Sequence, residues 1–250
     1  MRRRLPVGAA CAVTLALALA GCGAGAEGER LTVFAASSLG GPFSVLGVRF
    51  AEEHPDVELT FSWAGSADLV AQVAAGAPAD VLATADERTM ADAVAAGVVS
   101  GEPVVLAQNT LTLITPDGNP AGVTGLDESL DGADLVVCAP QVPCGAATLE
   151  LAERRGVTLA PVSEEGSVSD VRAKVATGQA DAGVVYASDA ALVADAVDVV
   201  PVPGAEDVVN RYPVAVVADS PSPDLAEAWV ELVSGPEGRA AFRDAGFGLP

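Results

Sequence analysis

From Leu31 to Ala95 the chain alternates short apolar runs with longer amphipathic ones, and this alternation constrains the fold more than any other feature. Strands are expected at Leu31–Ala36, Val57–Trp63 and Asp80–Thr84, with helices at about Ser38–Glu53, Ser66–Ala75 and Glu87–Ala95. Repeated strand–helix–strand units build a parallel sheet with helices on its faces. Strands then dominate at Val104–Ala107 and Leu111–Thr115. Alternation resumes with strand Leu135–Ala139, helices Gly145–Arg155 and Val168–Thr177, and strand Ala182–Tyr186. Strands Val197–Val202 and Pro213–Val217 follow, and a helical stretch from Pro223 to about Ala245 closes the chain. Ser66, Ser169-Asp170 and Ser222 are of the types that cap helix starts, and Gly76, Gly97 and Gly178 suit helix stops.

The pattern implies an α/β protein of two lobes, each a sheet flanked by helices. A chain of 250 residues, half of them apolar, can bury that much core. If it leaves the first lobe near Gln108-Asn109 and returns near Ala218-Asp219, lobe 1 comprises residues 31–108 and 218–250 and lobe 2 residues 109–217. The two crossovers would form a hinge. Ligands of open α/β sheets sit beyond the carboxyl ends of the strands, which puts Ser38 and Ser66 on one wall of a cleft and the Cys144 and Val171 regions on the other.

Two junctions run an apolar strand into a serine that opens a helix: Val33-Phe34-Ala35-Ala36-Ser37-Ser38-Leu39 and Phe61-Ser62-Trp63-Ala64-Gly65-Ser66-Ala67. The first turn of a helix leaves backbone N–H groups without partners and carries the positive end of the macrodipole. It can therefore hold a tetrahedral anion without a charged side chain. The plainer role for each serine is a helix cap. Capping and turn roles are likewise expected of Asp80 and Asp86, a core position of Trp63, and a solvated loop position of the single histidine, His54.

The N-terminus reads as an export signal: Arg2-Arg3-Arg4, a largely apolar run from Leu5 to Ala20, then Leu19-Ala20-Gly21-Cys22. The last four residues resemble the lipobox of bacterial lipoproteins. That resemblance implies a signal peptide over 1–21, lipidation of Cys22, a flexible tether over 22–30, and a protein anchored on the extracytoplasmic face of the cell membrane. Loss of the three arginines takes the formal net charge from −21 to −24, which disfavours nucleic acid as a partner. Surface charge is screened beyond about 8 Å at physiological salt, so acidity does not bar an anion held at contact by helix N-termini. Of four cysteines, Cys11 leaves with the signal and Cys22 takes the lipid. Cys138 and Cys144 remain, and in an oxidising compartment they are read as a disulfide closing a short loop.

Several segments in order resemble the molybdate-binding subunits of bacterial ABC importers, a branch of the type II periplasmic-type binding proteins. These are Val33–Leu39, Ala75-Gly76-Ala77-Pro78-Ala79-Asp80-Val81 followed by Ala85-Asp86, Val142-Pro143-Cys144-Gly145, Asp170-Val171-Arg172, Gly183-Val184-Val185-Tyr186-Ala187-Ser188-Asp189 and Tyr212–Val217. The resemblance spans Leu31 to Pro250. It implies an oxyanion held by the hydroxyls and N–H groups of Ser38 and Ser66, the N–H groups of Cys144 and Val171, and the Tyr186 hydroxyl. It further implies molybdate and tungstate as ligands, no cofactor, no catalysis, a monomer, and delivery to the transmembrane subunits of an ABC permease. Where Cys144 stands, the family frequently has a small residue such as alanine.

The chemistry of those residues agrees. Molybdate at neutral pH is a dianion with no proton to donate, so its site needs only donors. A carboxylate among the ligands would face it as a buried repulsion, and no aspartate falls at the matched positions. Sulfate, also proton-free, differs by size and remains an alternative ligand. The enzyme alternative is a secreted hydrolase or transferase using Cys144 as nucleophile, which needs a free thiol and a base.

Overall fold

The computed structural model describes residues 29–250. The signal peptide, the Cys22 lipidation site and most of the expected tether lie outside the described residues, and Arg30 already belongs to the first strand. In chain order the elements are β1 (Arg30–Ala36), α1 (Gly40–Glu53), β2 (Glu58–Ala64), α2 (Ser66–Ala74), β3 (Val81–Ala83), α3 (Glu87–Ala95), β4 (Val99–Pro116) and β5 (Leu135–Cys138). There follow α4 (Pro143–Arg155), β6 (Ser163–Glu165), α5 (Val168–Ala176), β7 (Ala182–Tyr186), α6 (Ala187–Ala191), β8 (Val197–Val200), β9 (Val209–Val217), α7 (Pro223–Ser234) and α8 (Pro236–Asp244). Among the described residues no helix is long and apolar enough to cross a membrane.

The strands lie in the order β2-β1-β3-β9-β4-β7-β5-β6, with β8 also on β4. Each half repeats one plan. In the first, β2, β1 and β3 run parallel and β9 is antiparallel to β3. In the second, β6, β5 and β7 run parallel and β4 is antiparallel to β7.

The two halves share β4. Its residues up to Thr110 pair with β9, and those from Leu111 pair with β7 and β8. Expectation had it start at Val104 and split it at the polar Gln108-Asn109-Thr110, and had missed its first residues because Gly101 and Pro103 break the apolar pattern there. The structure absorbs Gly101 and Pro103 in a register shift between Ser100 and Val104, which is how a sheet tolerates such residues, and a second shift follows between Val105 and Ala107. The strand changes partner between Thr110 and Leu111. Strand β9 begins at Val209 rather than at Pro213. The polar Asn210 and Arg211 hid its first residues, yet they alternate properly, Asn210 inward and Arg211 outward.

Amphipathic helices cover both faces of the first half. On one face α1 packs with α7 and α8 through aromatic contacts, Phe43 meeting Trp229 with ring centroids 5.4 Å apart and Phe242 at 6.1 Å. On the other, Leu69 and Val73 of α2 and Met90 and Ala93 of α3 close a second apolar cluster over Phe34 and Leu82. Helices α2, α3 and α5 are followed by Gly76, Gly97 and Gly178 at φ of +87°, +71° and +69°, a backbone region in which an L side chain is strained.

Expected helix starts fared unevenly. Ser66 is the first residue of α2 and caps nothing. Ser222 stands at the start of α7, but its hydroxyl donates to Arg30 O rather than capping the helix. Ser167, not Ser169-Asp170, caps α5, its Oγ accepting from Asp170 N–H at 3.3 Å. The buried Asp80 carboxylate accepts from Thr32 N–H, Ser220 Oγ and Ser222 N–H at 2.7, 2.6 and 3.0 Å, and Asp86 caps α3 through Thr89 N–H at 2.7 Å. These are the structural roles expected of the two aspartates. His54 follows α1 and stacks on Phe50. Trp63 is 39% exposed rather than core, stacked on Phe61.

Candidate functional site

A small cavity lies between the two halves. It is lined by Ala36, Ser37 and Ser38 after β1, by Ala64, Gly65 and Ser66 between β2 and α2, and by Ala85. The second half contributes Val142, Pro143 and Cys144 at the start of α4, Ser167 and Val168 at the start of α5, and Tyr186 at the end of β7. No lining residue is charged.

Four helix beginnings therefore converge on one point, two from each half. In α2 the first N–H to find a helical carbonyl is that of Leu69, on Gly65 O at 3.1 Å, and in α4 it is that of Ala146, on Val142 O at 2.9 Å. This leaves the N–H groups of Ser66 and Cys144 without helical partners. The chain enters α1 through a 3-10 turn at Ser37–Leu39, which leaves Ser38 N–H similarly placed. Aligned peptide dipoles add partial positive charge at each of these ends.

The side chains complete the donor set. Ser38 Oγ and Tyr186 OH are buried and have no hydrogen-bond partner in the protein, an arrangement that ordinarily costs about 1–3 kcal/mol per group. Ser66 Oγ accepts from Ala85 N–H at 3.0 Å, so its own hydrogen stays available to the cavity. Burial, and the nearby Tyr212, Asp86 and Asp189, push the Tyr186 phenol well above its ordinary pKa. It stays protonated, a donor at any pH the protein meets. Tyr212 stands behind it, with ring centroids 5.8 Å apart, and takes a long bond from Asn109 Nδ2 at 3.5 Å.

Four of the five expected ligands, Ser38, Ser66, Cys144 and Tyr186, thus line one cavity. Val171 does not. It is fully buried in the first turn of α5, where its N–H donates to Ser167 O at 3.4 Å, and Ser167 and Val168 of the same turn reach the cavity instead. Sequence reasoning passed over Ser167, although Ser167-Val168-Ser169-Asp170 has the serine-to-acid spacing of a capping box; the Asp170 carboxylate accepts from Ser167 Oγ at 2.8 Å.

Cys138 and Cys144 form the expected disulfide. It ties the end of β5 to the first turn of α4 and leaves neither sulfur free as a nucleophile. Gly145 follows because the turn is tight: a Cβ there would run into the carbonyl of Ala139. Among the described residues no group of histidine, cysteine, aspartate and glutamate is arranged to hold a metal cation.

The cavity is small, with a free volume of about 10 Å³.

The chain resembles known proteins along most of its length. The sequence profile of the bacterial extracellular solute-binding proteins matches residues 31–248. The molybdate-binding protein ModA of Mycobacterium tuberculosis H37Rv is 43% identical over 221 residues, covering 88% of this chain and 85% of the relative. ModA of Escherichia coli K12 is 30% identical over 229 residues, 87% of this chain and 88% of the relative. Among solved structures, the periplasmic molybdate-binding protein of Azotobacter vinelandii superposes with a TM-score of 0.77 at 22% identity, covering 88% of this chain and 99% of that one. The sulfate-binding protein SubI of M. tuberculosis gives 0.74 at 21% identity, covering 88% and 86%. At those identities the two structures speak to the fold alone, but the profile match and the closer relatives settle kinship: this chain belongs to the bacterial extracellular solute-binding proteins.

Proposed function

We propose that this protein captures molybdate, and tungstate with it, outside the cytoplasm and delivers it to the transmembrane subunits of an ABC importer. Membership of the solute-binding family makes it a binder and not an enzyme. The observation that carries the ligand class is the pair of buried hydroxyls without a partner, Ser38 Oγ and Tyr186 OH, on residues that line a cavity with no charged lining residue. Such a shell suits an ion that accepts at every oxygen and donates at none. Protonated phosphate would bring a donor to a site that has no carboxylate to receive it. The names of the two ModA relatives described above point within that class to molybdate.

In this reading Ser38 and Ser66 give hydroxyl and N–H, Cys144 its N–H, Tyr186 its phenol, and the first turn of α5 its free N–H groups, at Val168 or, with a small rearrangement of that turn, at Val171. Closing the halves around the anion supplies the permease with a form it can distinguish, by differential affinity for the closed state. A lipid on Cys22 would hold the protein, acting as a monomer, at the membrane where the permease sits. No further cofactor is required.

The test is a melting series of the domain with molybdate, tungstate, sulfate and phosphate. Molybdate and tungstate are expected to raise the melting temperature by mass action, by about 2.7 kcal/mol of stability at a hundredfold excess over Kd, and phosphate to leave it unchanged. A response to sulfate alone would replace molybdate with sulfate as the ligand.

A further inference from the structure

Gly65 is an odd residue at the lip of the cavity. Its φ of −66° and ψ of 142° are open to any amino acid, so the backbone does not call for glycine. The space around it does. A Cβ on Gly65 would penetrate the carbonyl oxygen of Gly166 and would lie 3.8 Å from Val142 Cγ1. Gly65 joins β2 to α2 in the first half of the molecule, whereas Gly166 joins β6 to α5 and Val142 precedes α4 in the second.

Other crowded glycines serve a different end. Gly145 and Gly238 would strike Ala139 and Val233, each within its own half, so their lack of a side chain is needed for local folding. Gly65 is crowded only by the opposite half, across the cleft. On another side of that cleft, a Cβ on Gly41 would meet Leu192 Cδ2 at 3.7 Å, ordinary contact that leaves room for alanine.

We infer that the contact of Gly65 with the Gly166 carbonyl is the stop against which the two halves close, and that it fixes the width of the anion cage. Both surfaces are backbone, so neither can yield by changing rotamer. A Cα–H facing a carbonyl oxygen is also weakly attractive. The stop lies beside Ser66 on one wall and Ser167 on the other, so the separation it sets is the separation of the donors themselves. A methyl group at position 65 would prop the halves apart, and the donors of one wall would no longer reach an anion held by the other. This rests on the oxyanion-binding reading for its ligand, while the steric stop itself does not depend on which oxyanion is bound.

The test compares wild type, Gly65→Ala and Gly41→Ala, using whichever of molybdate, tungstate, sulfate or phosphate stabilises the wild type most, so that the wrong ligand and a wrong stop give separate results. Melting without anion, affinity by titration calorimetry, and radius of gyration by X-ray scattering with and without anion are measured. Gly65→Ala is expected to melt like wild type without anion, to bind about tenfold or more weakly, and to stay expanded when anion is added. Gly41→Ala should bind and contract like wild type. Wild-type affinity and contraction in Gly65→Ala overturn the inference. So does a lowered anion-free melting temperature in that variant, which would make Gly65 a folding residue.

Discussion

Ser38, Ser66 and Tyr186 are alike in burial and unlike in what they do without an anion. Ser38 Oγ and Tyr186 OH satisfy nothing in the protein, whereas Ser66 Oγ holds the Ala85 N–H. Removing an unpartnered buried hydroxyl relieves a desolvation cost, and removing the acceptor of a buried N–H creates one of about 1–3 kcal/mol. Ser38→Ala and Tyr186→Phe are therefore expected to keep or slightly raise anion-free stability, and Ser66→Ala to lower it, by urea denaturation. All three should weaken molybdate binding, each by roughly ten- to a hundredfold if a hydrogen bond to a charged group is worth about 1.5–3 kcal/mol. The double variant Ser38→Ala/Ser66→Ala should come close to abolishing it while remaining folded. Unchanged affinity in the double variant would remove both serines from the site.

At the scale of elements, the site consists of helix starts, and how far each could be read depended on local chemistry. A strand running into serine and then a helix is a short-range pattern, so Ser38 and Ser66 stood out from neighbours alone. Which residues of the first turn of α5 would face them is a long-range outcome, decided by how β6 and β7 seat that helix, and the capping pattern at Ser167–Asp170 marks only where the helix starts. The pairing of Cys138 with Cys144 was legible from compartment and spacing. Its consequence for the site follows from position: the bridge anchors the turn that presents Cys144 N–H. Closing so short a loop is worth roughly 2 kcal/mol in the chain-entropy account. Cys138→Ala/Cys144→Ala, or the reduced protein, should lose about that much stability and bind molybdate more weakly than the oxidised form. Equal affinity before and after reduction, with the thiols verified by labelling, would mean that α4 holds its first turn unaided.

For the whole molecule, strand–helix alternation gave the two-part plan but not the first residues of β9, because the sheet partner that makes Val209–Arg211 a strand is distant in sequence. The same assembly buries one ion pair: Asp189, at the start of α6, receives Arg172 Nη1 of α5 at 2.8 Å, with its second oxygen unpartnered. Burial outweighs the attraction of Arg172 and pushes the Asp189 carboxyl up to about 7. Near it stand Tyr186 and Tyr212, both neutral phenols held protonated by burial. Raised in the native state above its ordinary value of 3.8, this group binds more protons folded than unfolded between those two values. Its contribution to stability is then full below about pH 4 and is lost as pH rises towards 7. Glu165, lowered by Lys174 and Ser163 despite its burial, acts oppositely, stabilising above the ordinary carboxylate range and failing in acid. The two pull in opposite directions, and mutual repulsion in a chain of net charge −21 adds to the fall towards alkaline pH. Asp189→Asn separates these effects, since it removes the titrating group while changing the net charge by only one. Its melting temperature should decline less between pH 5 and pH 8 than that of wild type. Parallel declines in the two proteins would assign the whole slope to surface charge and leave Asp189 ionised across that range.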